Sequence, residues 1–423
     1  MIANVRALEE CIRLATAGAR GCSLKYISQE WRDILSIATQ QNVMPLVACA
    51  LMCSQQLPCP DSLRQQMMCF LRDTNSRNMV KQQRLLHLIN EMENAGFFVR
   101  VLKGYSVSRL YAYPESRDSI DSDILIPIEQ ERAIYKWLTG KGFTVKSRQI
   151  TANDCACMHE KYGKIEIHVK LYPELILETW RGRISEEEFI KESPIRIKDV
   201  DGEFSTLGYT DQLLFLVLHM IKHFIENGLT IRMMVDVALH FSAYRDQIDI
   251  ERFWKVMHQL QYRTLIDHLL WVMIKYGGFH KEEFPGICQE EPKWITAILV
   301  DLENGGYMGT REIKERHESS MEYTRRAMLK KKNKKNYVVY MIRWKIRSGI
   351  KSMFPSFNQL KNKYVCAKKH PMLAVPLWAY HAISFPICKI CSGVLKSDVR
   401  ISNNVMSSTA QNRIDLFERM GMI

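Results

Sequence analysis

The sequence predicts an α+β protein in which a small mixed sheet is embedded in mostly α-helical flanking regions. Three observations carry this. Apolar residues recur at helical spacing over residues 1–95 and again beyond Pro173. Between those stretches, residues 96–175 hold short apolar or alternating runs of strand length, punctuated by Gly, Pro, Asp and Ser. The composition, 47% apolar and 25% charged over 423 residues, is that of a globular chain with a sizeable core, long enough for two or three domains.

The elements follow in order. Trp31, Ile34, Leu35 and Ala38 sit at helical intervals, and residues 43–52 continue in that style. A longer helical pattern over 62–94 ends with Leu85, Leu86, Leu88, Ile89 and Met92, and Gly96 supplies a stop. FFVRVL (97–102) is an apolar run suited to a buried strand, closed by Lys103-Gly104. A short helix over 105–111 leads into the turn-rich YPESRDS, and IDSDILIP is a second strand. A helix over 129–139 stops near Gly140 and Gly142. Residues 143–150 and 155–162 can pair as a hairpin, and KIEIHVKL (164–171) reads as a further strand. Residues 176–310 then form a helical domain, with helices over 211–227, 231–244 and 250–260. Residues 311–423 form a basic and apolar C-terminal helical region.

Charge is concentrated. The net charge is +13, yet residues 323–396 alone hold seventeen Lys and Arg and no Asp or Glu. One segment makes the protein basic, so one segment is expected to meet an anion. Within 323–370, Trp344, Ile346, Ile350, Met353 and Phe354 interleave with Lys and Arg, as in a helix lying on an anionic membrane. An anionic substrate such as a polyphosphate or glycan carrier, nucleic-acid phosphates and a merely solvated helix face are the other readings, nucleic acid being less favoured for want of a recognisable RNA-binding module. No stretch reaches the ~18 apolar residues of a membrane span; the nearest, 371–388, is broken by Pro371, Pro376, Pro386 and His381. The opening MIANVRALEECIRLA reads as a helix rather than a leader. The twelve cysteines show no regular framework. Both points fit a cytoplasmic protein, with surface membrane association as an option. Cys388 and Cys391 form one CxxC without a second ligand pair, and Cys155, Cys157 and His159 are ligands by type only.

The chemistry-bearing pattern is Lys103-Gly104, Arg117, Asp121-Ser122-Asp123 and Glu166-Ile167-His168. Residues two apart on a strand share a face, so Asp121 and Asp123 project together, as do Glu166 and His168. If the two strands are neighbours, three carboxylates converge at one end of the sheet. Such a cluster is costly without positive charge among it, and Mg²⁺ takes carboxylates together with substrate phosphates. Two ions about 3.5–4 Å apart would be in keeping with three carboxylates. Lys103 reads either as a phosphate contact or as a solvated loop lysine. Arg117 reads either as a bidentate phosphate contact or as one side of an internal salt bridge to a strand carboxylate. His219 and His223 lie one helical turn apart, but residue 220 is Met, so the H-E-x-x-H pattern is absent. Arg232 and Asp236 are spaced as a helix pair.

Here the residues resemble a known family. VLKGYSVSRLYAYPESRDSIDSDILIP, EIHVKL, LHMIKHFIENGLTIRMMVDVAL and SMFPSFNQLKNKY are similar, in order, to segments of the uncharacterised nucleotidyltransferase family. The resemblance implies a nucleotidyltransferase core fused to helices, with Mg²⁺ as cofactor and an NTP, ATP foremost, as donor of NMP to a hydroxyl acceptor such as a glycan or small molecule. It implies Asp121 and Asp123 as metal ligands, and Glu166 as third carboxylate and general base. Lys103, Gly104, Ser106 and Arg117 would lie at the nucleotide, and His168, His219, His223, Arg232 and Asp236 would line the acceptor cleft or fix helix packing. Two departures stand out: Gly104 and Ser106 are separated by Tyr105, and the third acid is Glu where Asp is usual. A non-catalytic nucleotide-binding or interaction module on the same fold is the alternative.

Overall fold

The computed structural model describes residues 2–119, 121–146, 154–172, 184, 186–199, 202–305, 313–329 and 407–423. The chain divides into two compact units, Met1–Tyr323 with Asn412–Ile423, and Thr324–Gln411. In the second unit only 324–329 and 407–411 are described, and they are helical over 324–329 and 408–411. Most of the basic segment, the apolar stretch 371–388 and the Cys388/Cys391 pair lie outside the described residues. No helix among the described residues is long and apolar enough to cross a membrane.

The first unit opens with four helices: α1 (Ile2–Arg20), α2 (Trp31–Gln40), α3 (Met44–Cys53) and α4 (Asp61–Asn94). Pro45 starts α3, where its missing N–H costs nothing. α4 has 34 residues, so it runs about 50 Å. It ends at Gly96, whose positive φ of 84° lets the chain turn toward the sheet. The next elements are β1 (Arg100–Val101), α5 (Tyr105–Ser108), β2 (Ser122–Leu125), α6 (Glu131–Gly140), β3 (Thr144–Val145), β4 (Asp154–His159), β5 (Gly163–His168), β6 (Ile195–Asp199) and β7 (Gly202–Thr206). Helices then resume with α7 (Tyr209–Glu226), α8 (Ile231–Ala243), α9 (Ile250–Gln259), α10 (Arg263–Lys275), α11 (Ile295–Asn304), α12 (Ile313–Leu329) and α13 (Ser408–Arg419). Thr230 caps α8 and Asp249 caps α9 through side-chain oxygens.

The seven strands form one mixed sheet in the order β3-β4-β5-β2-β1-β7-β6. β2 runs parallel to β5 and antiparallel to β1, and β1 runs parallel to β7. Strand alternation sends Ile124, Ile126, Ile165 and Ile167 to one face, where they pack with Leu85, Ile89 and Met92 of α4 and Ile134 and Leu138 of α6. Cys155 and Cys157 lie in this same apolar cluster, so they serve as core residues. The cysteines among the described residues are free.

Two elements differ from the sequence reading. FFVRVL yields a ladder of only two residues, because the Phe97 N–H goes to Met92 O at the exit of α4 and the Phe98 N–H to Gln130 Oε1. The hairpin β6–β7 falls in the region read as helical, and it extends the sheet beside β1. Its signal, alternating IRIK and EFST about Asp201-Gly202, was present but short and charged. The C-terminal residues are anchored back on the first unit by buried Arg413, whose guanidinium reaches Asp301 at 3.2 Å and Ser319 at 2.9 Å.

Candidate functional site

The sheet face opposite the apolar cluster carries charge. β2 and β5 pair in register with Asp123 opposite Glu166 and Leu125 opposite His168. That register brings ligating atoms of Asp123, Glu166 and His168 within 4.8 Å of one another. His168 Nε2 lies 3.0 Å from Asp123 Oδ1, and Lys103 Nζ lies 3.2 Å from the same oxygen. The other oxygen, Oδ2, is buried without a partner, in a residue only 1% exposed. Burial alone would raise the Asp123 pKa. The Lys103 charge and the His168 hydrogen bond outweigh it, holding the carboxyl well below its usual range.

Glu166 goes the other way. Burial raises its pKa, and the Asp121 and Asp123 charges add to that, against the opposing hydrogen bond from Lys164. Lys164 Nζ bridges two acids, 2.5 Å from Glu166 Oε1 and 3.3 Å from Asp121 Oδ2. Asp121 therefore joins the cluster through an ammonium rather than through the Asp123–Glu166–His168 group itself.

Gly104 turns the chain from β1 into α5 with φ 73° and ψ −107°. A Cβ there would meet nothing nearer than 3.9 Å, so the backbone conformation, not space, demands glycine. Beside it, Lys103 Nζ also lies 3.2 Å from His219 Nε2. Ser106 is not at the cleft. Its hydroxyl donates to Leu102 O at 2.5 Å, and Gln212 Nε2 donates to the same carbonyl. The serine that does line the cleft is Ser119, whose Oγ lies 3.2 Å from Lys81 Nζ.

The facing wall is helical. Arg117 grips Asp236 of α8 with both forks, Nε to Oδ1 at 2.7 Å and Nη2 to Oδ2 at 2.6 Å. The Tyr111 hydroxyl donates to the same Oδ1 at 2.6 Å. Arg117 is thus bound to a carboxylate from a helix, not from a strand. Arg232 lines the cleft and donates to Asp118 O. His219 and His223 of α7 stack edge to face, centroids 4.6 Å apart. Burial, then Lys103, pushes the His219 pKa well down. Burial, then Lys222, pushes His223 down to about 3. Among the described residues they find no third ligand for a metal.

The structure thus gathers Lys103, Gly104, Arg117, Asp121, Asp123, His219, Arg232 and Asp236 around one cleft. Glu166 and His168 adjoin it behind Asp123. Sequence reasoning missed Lys81, Ser119 and Lys164. Lys164 was legible, since it stands two residues before Glu166 on the same strand face. Lys81 lies far back on α4, where nothing in its local sequence marks it.

A parallel strand pair carries Asp123 and Glu166 in register, with a positive-φ glycine turn beside it, an α+β arrangement consistent with a nucleotidyltransferase domain. The chain belongs to the uncharacterised nucleotidyltransferase family, whose model matches residues 28–276. No curated protein and no solved structure matches it. Family membership and the acidic–histidine cluster together support a nucleotidyl-transfer kind of function.

Proposed function

We propose that this protein transfers NMP from an NTP, ATP in the first instance, to a hydroxyl acceptor in a Mg²⁺-dependent reaction that releases pyrophosphate. The observation that carries this reading is Asp123 Oδ2. It is a buried carboxylate oxygen with no partner, standing among groups spaced for a divalent ion. The donor set fits a hard cation, since Asp121, Asp123 and Glu166 offer oxygens. One or two ions would be held there, with His168 fixing Asp123 from behind. When bound, Mg²⁺ would neutralise the triphosphate and polarise its α-phosphoryl group.

The chain's own residues supply the remainder. Lys103 and Arg117 bring positive charge to the phosphates, and the Gly104 turn lets the backbone approach them. Glu166, its pKa raised, takes the proton of the acceptor hydroxyl. The hydroxyl oxygen attacks the α-phosphorus, the bond to the β-phosphate oxygen breaks, and pyrophosphate leaves. His219, His223, Arg232 and Asp236 shape the acceptor side. A glycan or a small molecule is the acceptor class this reading favours, with residues 323–370 as a contact for an anionic membrane surface ahead of nucleic acid.

One observation favours the second reading, a non-catalytic nucleotide-binding module. Lys103 and Lys164 already pair with all three carboxylates. Thermal shift with ATP, GTP, CTP and UTP, with and without Mg²⁺, separates the two when combined with release of labelled pyrophosphate. Catalysis requires Mg²⁺-dependent stabilisation that Asp121→Asn/Asp123→Asn abolishes, and pyrophosphate release once an acceptor is supplied. Metal-independent nucleotide binding that survives the double substitution would support the module instead.

A further inference from the structure

We propose that the corner formed by Arg117 and Arg232 is a phosphate-class anion subsite, separate from the carboxylate cluster. It would take either the tail of the triphosphate or an anionic group on the acceptor. The choice between those two sources rests on the nucleotidyl-transfer reading; the subsite itself does not.

Two guanidiniums stand at this corner, and Asp236 pairs with Arg117 alone. Asp236 has both oxygens engaged, Oδ1 by Arg117 Nε and the Tyr111 hydroxyl, Oδ2 by Arg117 Nη2. Arg232 has no carboxylate within ion-pair distance among the described residues; its Nη1 donates only to the backbone oxygen of Asp118. Arg232 Nε and Arg117 Nη1 are buried N–H groups without partners, and Arg117 as a whole is 5% exposed. Both side chains line the cleft. Burial, with the Arg117 charge close by, lowers the Arg232 pKa.

Open donors on a desolvated cation are costly unless something accepts from them. A water molecule would satisfy the N–H groups but not the surplus charge. A phosphate oxygen does both, and two planar forks match its geometry. Lys103 is not the spare cation, since it is held between Asp123 and His219.

The test is calorimetric titration of the full chain in EDTA, at low salt, with pyrophosphate and with inorganic phosphate. Wild type is expected to bind pyrophosphate. Arg232→Gln should weaken it by about tenfold or more, and Arg232→Lys by less, because charge remains while the fork is lost. Asp123→Asn should not weaken binding, because it removes a negative charge from the same cleft and leaves both guanidiniums in place. Repeating the titration with an α,β-methylene ATP analogue and Mg²⁺ present assigns the source. Competition places the triphosphate tail in the corner, and simultaneous binding places an acceptor anion there. Failure of folded wild type to bind either anion, or equal binding by wild type and a folded Arg232→Gln, overturns the subsite. Loss of the nucleotide effect alone would overturn only the proposed reaction.

Discussion

The two walls of the cleft handle buried charge in opposite ways. On the sheet wall, Asp123, Glu166 and His168 are set by strand register and keep capacity in reserve. One Asp123 oxygen is open, and the other partners are lysine ammoniums on flexible stems. On the helical wall, Arg117 and Asp236 are closed on each other through two hydrogen bonds, with Tyr111 added. The Arg117–Asp236 pair is an anchor that fixes the helical wall and the anion corner built on it, whereas the sheet wall is held by groups that can move. Substitutions at the Arg117–Asp236 anchor should therefore register first in stability, and those on the sheet wall first in chemistry.

The largest effect is expected at Asp236. Asp236→Asn leaves Arg117 buried without its counter-charge, and breaking a buried pair on one side typically costs about 3–5 kcal/mol. Urea unfolding should show that loss as a lower midpoint with little change in slope. A drop below about 1 kcal/mol, the scale of an exposed ion pair, would mean that this pair is not the anchor described.

Asp123→Asn comes next, and tests the opposite wall. The amide keeps Oδ1 for His168 and Lys103 but replaces the open oxygen with a donor, so the fold should persist. Nucleotidyl transfer should fall by about 100- to 1,000-fold, the range seen when one electrostatic element of a site is removed. Pyrophosphate release at constant protein, with circular dichroism as the fold control, measures it. Retained turnover would remove Asp123 from the chemistry.

The same contrast explains what could be read from sequence. The sheet wall was legible because its residues are near neighbours on strands. Alternation pairs Glu166 with His168, and only the adjacency of β2 and β5 had to be supplied. The convergence stopped short at Asp121, which lies just before β2 and meets Glu166 through Lys164. The helical wall was visible only as residue types. Arg117 and Asp236 stand 119 positions apart, and no periodicity links a loop to a helix at that distance. Ser106 shows the limit of motif spacing. A serine two residues after the glycine matched by type, yet the first turn of α5 directs its hydroxyl to Leu102 O, and Ser119 takes the place at the cleft. β6 and β7 were missed for a related reason, since each has only five residues, β6 interleaves Arg and Lys at the sheet edge, and β7 offers Phe204 as its one large apolar residue.

A smaller effect sharpens the idea of reserve on the sheet wall. Lys164 supplies the positive charge that Asp121 and Glu166 would otherwise draw from a metal. Lys164→Met should tighten Mn²⁺ binding by about three- to tenfold, a modest figure because Lys164 is partly exposed and screened. Electron paramagnetic resonance of free Mn²⁺ reads this directly. Weaker binding in the variant would make Lys164 a positioning residue for the carboxylates rather than their stand-in cation.

The smallest effect is a pH dependence on the helical wall. Burial, with Lys222 and Lys103 adding to it, depresses the His223 pKa from 6.5 to about 3. A histidine with a depressed folded value binds fewer protons in the native state than in the unfolded chain. Its contribution to stability is therefore fully present above its unfolded value, and it is lost as pH falls from about 6.5 toward 3. Asp123 contributes in the same direction, but only at more acid pH, because its own ordinary value is already 3.8. Glu166 has the opposite sign, its value being raised in the fold, so it gains as pH falls. His219, His240 and His268 are depressed by burial as well and add in the same direction as His223, so the total slope sums several groups and the difference between proteins isolates the His223 share. Urea midpoints measured from about pH 7.5 to 5 should decline in wild type and decline less in His223→Gln, which cannot take up a proton. Parallel profiles would show that the His223 imidazole is solvated in the native state, and that water reaches the half-buried His219–His223 pair.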